Sequence, residues 1–363
     1  MKNHLILLII LIVAMITLPF LAFGSHKASV FDNRQTDIPN ITEGVQVFGD
    51  GISQVSEIES ESKKESYFPP FKEEYSMYHL DAFKILDKAT GKVDEVSVLD
   101  YVIGAVMTEI PATYQVEAIK AQAVAAHTYA LHHHLSQQKN PDPTLKGADF
   151  SADPSSHQGF MTAESAKKRF GDKYSDYYDK IAPAVKEVIN QILVYDDEPI
   201  VAAYHAISAG QTEDASNVWN GSAEYLVPVD SKGDEYAPEY ETIAAVSFDD
   251  LAKLMENKYP GTVFQDDPEK WLEIVSRSQS GYITEINVGD TSMSGLDFRN
   301  MLGLRSSNFD ISFSGNGFAF VVKGYGHGVG MSQYGSDYMA RQGALYNEIL
   351  EHYYRDAVIV SIG

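Results

Sequence analysis

The sequence predicts an α+β fold: a single domain with helical and β parts, carried on an N-terminal membrane tether. Three stretches lead to that expectation. Two short strand-like runs around a Gly-containing turn feed an apolar helix at 97–110. An alanine-rich run at 116–139 has the composition of a long, closely packed helix. "GFAFVVKGYGHGVGMSQYGSDYMARQG", at 317–343, reads as strand, glycine-rich loop and helix. At 363 residues the chain can bury a full core, and its 44% hydrophobic content indicates a folded protein rather than a disordered one.

The N-terminal segment is expected to be a transmembrane anchor, residues 1–24. Within it "LILLIILIVAMITLPFLAF" (5–23) gives 19 uncharged residues. That length spans a bilayer and exceeds the apolar core of a cleaved signal, for which "AFG" at 22–24 is a poor cleavage site. Lys2 marks the cytoplasmic side, so the rest of the chain is expected outside the cytoplasm. Residues 25–77 are polar, acidic and without periodicity, which predicts an extracytoplasmic linker. The folded domain is then 78–363. A formal net charge of -23 argues against nucleic acid as a partner, and the absence of cysteine excludes disulfides and thiolate metal sites.

In the folded part, "HLDAFKIL" and "VDEVSVL" flank "DKATGK", whose Gly91 suits a hairpin turn. "SVLDYVIGAVMTEIP" follows. Ser97 with Asp100 three later resembles a capping box with the shorter acid. Leu99, Val102 and Val106 lie along one helix face, and the next position in that row is Glu109. Pro111 disfavours helical geometry at Ile110, so the helix is expected to end there. Apolar surroundings and the negative end of the helix dipole both penalise a charged Glu109. A carboxyl pKa raised in this way is what a general acid needs near neutral pH. The alternative is a terminal glutamate turned out to solvent.

The alanine-rich helix carries His127 and His134 on one face. With His157 they are the only zinc set to weigh, but the spacing matches no standard motif, and no metal is assigned. After the loop "SADPSSHQGF", a helix is expected in "SDYYDKIAPAVKEVINQIL", and "PIVAAYHAISAGQT" reads as an apolar strand entering a small-residue turn. Ser208 has no nucleophile elbow around it. Ser208, Gly210 and Thr212 therefore read as a polar turn that bonds a ligand, with Trp219 as a stacking surface, or as an ordinary turn beside a core tryptophan.

"GYGHGVGMSQYG" has glycine at 324, 326, 328 and 330. Neither the dinucleotide fingerprint nor a phosphate-binding loop fits this spacing. A β-like ribbon would put Tyr325, His327 and Val329 on one face and only hydrogen atoms on the other. Such a bare edge lets backbone approach a ligand or another chain segment, and Ser332 and Gln333 open a helix whose free N–H groups suit a polar ligand.

"LDYVIGAVMTEIPATYQVEAIKAQAVAAHTYAL", "SAGQTEDASNVW" and "GYGHGVGMSQYGSDYMARQGALYNEILEHYYRDAVI", in this order, resemble the stage II sporulation protein D family, which includes relatives called amidase enhancers. The resemblance covers about 78–363. It implies a membrane-anchored lytic transglycosylase, without a cofactor, acting on peptidoglycan glycan strands stripped of stem peptides at the engulfing septum of a sporulating bacterium. It implies Glu109 as the catalytic glutamate, and the sporulation amidase protein P and membrane protein M as partners. Many members have Arg where this chain has His127, which makes a permanent cation a titratable group. Some have Cys where this chain has His157, so a metal is not carried over. The candidate site is thus Glu109 as the catalytic group, with His127, Ser208, Gly210 and Thr212 as substrate contacts. Tyr325, His327, Ser332 and Gln333 are expected to join them, the bare edge of the ribbon facing either the glycan or the Glu109 helix. Two rivals stay open: a wall-binding, amidase-activating module that does not depend on Glu109, and a zinc hydrolase using the histidines.

Overall fold

The computed structural model of the protein describes residues 67–152, 158–219, 221 and 223–363. The expected anchor, the linker up to residue 66, and His157 lie outside the described residues. Among the described residues no helix is long and apolar enough to cross a membrane.

Strands β1 (Ala82–Leu86) and β2 (Val93–Ser97) form the expected hairpin, with Ala82 opposite Ser97 and Leu86 opposite Val93. Helix α1 (Val98–Glu109) leaves β2 directly. Ser97 caps it by accepting the Asp100 N–H, which satisfies a donor the first turn would otherwise leave open. Val102 and Val106, on the apolar row, are fully buried. Helix α2 (Val116–Lys139) is the central element, and its alanines at 118, 121, 123, 125 and 126 are buried. Strand β3 (Phe150–Ser151) runs parallel to β1. Helices α3 (Ala163–Phe170) and α4 (Tyr174–Val188) follow, and α4 packs on α2.

Next come β4 (Gln191–Tyr195), β5 (Glu198–Pro199) and β6 (Tyr204–His205). The apolar strand expected from Pro199 up to the turn at 208–212 shrinks to the two residues of β6. The backbone on either side bonds piecemeal to the glycine ribbon, and it turns at Gly210, where φ is 97°.

A second lobe spans 241–323. It holds β7 (Glu241–Ser247), α5 (Phe248–Lys258), β8 (Leu272–Arg277), β9 (Ile283–Val288), β10 (Thr291–Ser294), α6 (Gly295–Leu302), β11 (Phe309–Ser314) and β12 (Gly317–Lys323). These strands form two three-stranded sheets, β11-β12-β7 and β10-β9-β8. Leu251, Met255, Ile286, Phe298, Phe309 and Phe320 make its own core. The chain then returns through the ribbon to β13 (Met331–Ser332), parallel to β6, then α7 (Gln333–Arg341) and α8 (Tyr346–Tyr353). It closes with β14 (Val358–Ser361), antiparallel to β4. Both α7 and α8 pack on α2. This return sets the start of α7 against the end of α1.

The folded part begins before residue 78. Tyr75 is buried and its phenol donates to Asp197 Oδ1 at 2.7 Å, while Phe71 bridges to Ser361. Residues 71–77 were expected in the linker because acidic, polar composition hides single packed aromatics.

Candidate active site

Helix α1 delivers Glu109 to the point where the helix must stop. Ile110 is extended (φ −126°, ψ 150°), with its N–H still bonded to the Val106 carbonyl. The Glu109 side chain is partly buried. Its Oε1 accepts the Gly159 N–H at 3.3 Å, and its Oε2 accepts the Gln333 amide at 3.4 Å. Both bonds are long. Burial raises the carboxyl from 4.5 to about 7, and the two hydrogen bonds oppose that rise only in part. Among the described residues no second carboxylate contributes to the shift. A lone carboxyl that is about half protonated at neutral pH can give a proton in one step and take one in the next.

Two segments distant in sequence meet this carboxyl. A Cβ on Gly159 would lie 2.8 Å from Thr108 Cγ2 and 3.1 Å from Glu109 Oε1, so glycine is what lets that backbone approach. Its neighbour Gln158 accepts the Tyr101 hydroxyl at 3.1 Å. Gln333 opens α7, capped by Ser332, whose Oγ accepts the Gly335 N–H at 3.1 Å and donates to Asp234 Oδ1 at 2.7 Å. Asp234 is fully buried. Its Oδ2 accepts the Ser231 hydroxyl at 2.9 Å and the Ser208 N–H at 2.9 Å, and the Ser208 hydroxyl bonds to the same carboxylate. Burial raises Asp234 and these donors pull it back. The sequence reading missed Asp234, because nothing in "SKGDEY" distinguishes it from a surface acid.

This knot accounts for several expected ligand contacts. Ser208 and Ser332 are buried and spend their hydroxyls on Asp234. Thr212 is buried, exchanging bonds with Val229 through its N–H and its hydroxyl. Gly210 holds the turn with its N–H on Ser208 Oγ. The polar turn is therefore satisfied within the protein rather than offered to a ligand. Trp219 is no core residue: it is 40% exposed, with its ring 5.2 Å from that of His327.

His127 also departs from expectation. It is 2% exposed, packed edge-on against Phe83, and burial lowers it to about 4. It is a neutral core residue without access to a substrate. Its helix mate His134 sits on Asp149 Oδ1 at 2.8 Å.

The glycine ribbon is not an alternating strand. Gly324, Gly326, Gly328 and Gly330 all have positive φ, from 72° to 118°. A Cβ at Gly324 would meet the Ile207 carbonyl at 2.8 Å, at Gly326 the His205 Cβ at 2.7 Å, and at Gly330 the Ala203 carbonyl at 2.1 Å. At Gly328 it would strike the Tyr282 ring at 2.6 Å. The bare edge thus faces the 203–208 segment and the second lobe, not a groove and not α1. The spacing showed where side chains are missing; it could not show what fills the space. Tyr325 lies under the Arg305 guanidinium, 4.3 Å from its ring centroid. His327 Nδ1 accepts the Val329 N–H at 3.1 Å, its other nitrogen bonds to the Tyr204 carbonyl, and burial holds it neutral at about 4.

Three tyrosines that the sequence reading left aside feel the charge of Glu109. Burial, then the Glu109 charge, raises Tyr129 and Tyr204, and Tyr101 is raised by burial, Tyr129 and Glu109 in turn.

Comparison with known proteins bears on this arrangement. The family profile described as "Stage II sporulation protein" matches residues 87–195, which include α1 and Glu109. The chain is similar to stage II sporulation protein D of Bacillus amyloliquefaciens, 33% identical over 265 residues, covering 72% of this chain and 74% of the relative. The chain belongs to the stage II sporulation protein D family. Another member of that family, from Bacillus subtilis (strain 168), is 30% identical over 271 residues, covering 75% and 76%. The amidase enhancer of the same strain is 25% identical over 309 residues, covering 71% of this chain and 40% of the relative. This sporulation-related family is the one that the three sequence motifs resemble.

Proposed function

We propose that the protein is a peptidoglycan lytic transglycosylase acting in sporulation, with Glu109 as its acid and base. The observation that carries this reading is the lone, partly buried carboxyl raised to about 7 at the end of α1. Glu109 gives its proton to the glycosidic oxygen between muramic acid and glucosamine residues, and the C1–O bond breaks. The muramic acetamido oxygen bonds to C1 as the leaving sugar departs as an alcohol. The Glu109 carboxylate then takes the proton of the muramic 6-hydroxyl, and O6 attacks C1 and displaces the acetamido oxygen. The product is a 1,6-anhydro sugar, no water is consumed, and Glu109 ends protonated.

In this reading 5–23 anchors the protein in the membrane, the folded domain works outside the cytoplasm, and the sporulation amidase and membrane protein M are its partners. Mass analysis of products from purified, peptide-free glycan strands tests the chemistry. Anhydro-ended fragments are expected, and fragments heavier by one water would replace the reading with hydrolysis. The relative named amidase enhancer favours a second reading, a module that binds wall and stimulates an amidase. That reading requires a Glu109→Gln variant to stimulate as the wild type does.

A further inference from the structure

A row of tyrosines begins beside Glu109 and runs out to the surface. Gln333 meets the Glu109 carboxyl at 3.4 Å, and the next residue, Tyr334, donates its hydroxyl to the Tyr236 carbonyl at 2.9 Å. Tyr114, a few residues past Glu109, sets its ring edge-on to Tyr334, with centroids 6.5 Å apart. Pro111 and Thr113, between Glu109 and Tyr114, are exposed, so solvent reaches the chain along this path. Tyr338 follows Tyr334 by one turn on the same face of α7, about 7.5 Å along the helix axis from Gln333. The Tyr236 ring lies on that of Tyr338, 10° from parallel, with centroids 5.6 Å apart. Tyr236 is 71% exposed, which leaves the outer face of its ring open.

The frame behind this row is rigid. Tyr236 ends the short helical turn Lys232–Tyr236, whose Asp234 is the buried carboxyl that also holds Ser332 at the start of α7. A Cβ on Gly233 would lie 2.4 Å from the Tyr338 ring, so glycine lets that turn sit directly against the ring. A single exposed aromatic is ordinary on a protein surface. A ring backed by a second ring, in a row that starts at the Glu109 carboxyl, is instead a fixed flat surface with one face to solvent. Such a face suits the apolar C–H side of a pyranose, and the phenol at its rim suits the sugar hydroxyls. We propose that the Tyr236–Tyr338 pair is a further binding subsite, on which a sugar of the amino-sugar strand stacks as the strand leaves the Glu109 site. The inference rests on the reading of the Glu109 site as a glycan site. Through Ser332, Asp234 then fixes the platform relative to Gln333.

The test measures binding of peptide-free glycan strands in a Glu109→Gln background, so that binding is read without cleavage. Adding Tyr236→Ala should weaken binding roughly 3- to 10-fold, the range for one aromatic stacking contact. Tyr236→Leu keeps an apolar cover on Tyr338 but loses the flat face, and it should weaken binding as much. Tyr236→Phe keeps the face and should bind within about twofold of the background. The variants should melt near the background, since most of the ring is in solvent; if Tyr236→Ala melts low, Tyr236→Leu decides. If the wild type hydrolyses strands, or binds them without cutting, the lytic reading falls, and the binding comparison still decides the platform. Undiminished affinity in the Tyr236→Leu variant would overturn the inference. So would a Tyr236→Phe variant that loses as much as Tyr236→Leu, which would assign the contact to the hydroxyl and not the face, or a background that binds no strands.

Discussion

Glu109 and Asp234 are both carboxyls withdrawn from water, and the protein surrounds them differently. Asp234 receives the hydroxyls of Ser208, Ser231 and Ser332 and the Ser208 N–H, the Ser231, Ser332 and N–H bonds spanning 2.7 to 2.9 Å. Glu109 receives two donors, at 3.3 and 3.4 Å. A carboxylate fully met by donors is a fixture, whereas one met loosely stays ready to exchange a proton. Ser332 links the two, because the hydroxyl that bonds Asp234 also caps the helix that presents Gln333. One carboxyl thus holds the frame in which the other works.

The largest effect is expected on removing the loose carboxyl. Glu109→Gln should lower the strand-cleavage rate on the order of 10²- to 10⁴-fold. The same variant sharpens the comparison by its stability. A carboxyl raised from 4.5 to about 7 binds its proton more tightly in the folded chain than in the unfolded one. Its contribution is fully present below pH 4.5, is lost as pH rises through 7, and is flat above that. The loss amounts to on the order of 3 kcal/mol at most. Glu109→Gln should therefore melt higher than the wild type at pH 8, and the two should converge near pH 5. A variant that melts below the wild type at pH 8 would show that the carboxylate is held as firmly as Asp234. Cleavage by the wild type should itself decline as pH rises through about 7.

Asp234→Ala comes next. It strands three hydroxyls in the interior and should cost about 3 kcal/mol in denaturant unfolding. Cleavage at a temperature where the variant is folded should also drop, since the α7 cap loosens. Full activity in that folded state would separate the two carboxyls. Gln333→Ala has a smaller effect. It removes the larger of the two influences that lower Glu109, so the limb of the kcat/KM profile should move to higher pH, with a rate loss of roughly 10-fold or less. A limb that moves to lower pH would contradict the assigned bond. His127→Gln should change least, leaving the limb where it is, because a buried ring held neutral at about 4 does not titrate there. A displaced limb would restore His127 to the site.

Local signals were legible in the sequence. The hairpin, the Ser97 cap, the end of α1 before Pro111 and the place of Glu109 on the apolar row depend on neighbours within a few residues. Gln333 was also reached, though as a helix opening and not as the partner of Glu109. What escaped depends on distance along the chain. Asp234 is defined by serines at 208, 231 and 332, and the ribbon by the 203–208 segment and Tyr282. The second lobe gave no motif to read, since its strands alternate exposed and covered residues around a core assembled from α5, α6 and both sheets.

The bond from Gln333 to Glu109 joins residues 224 positions apart. In synthesis, α1 and its glutamate emerge long before the element that faces them. Until the segment from Gly324 onward has been made and has docked beside β6, Glu109 has no Gln333 opposite it, and the carboxyl is simply the end of a helix. The order of translation therefore acts as a delay. A nascent chain carries Glu109 well before it carries the segment that meets its carboxyl.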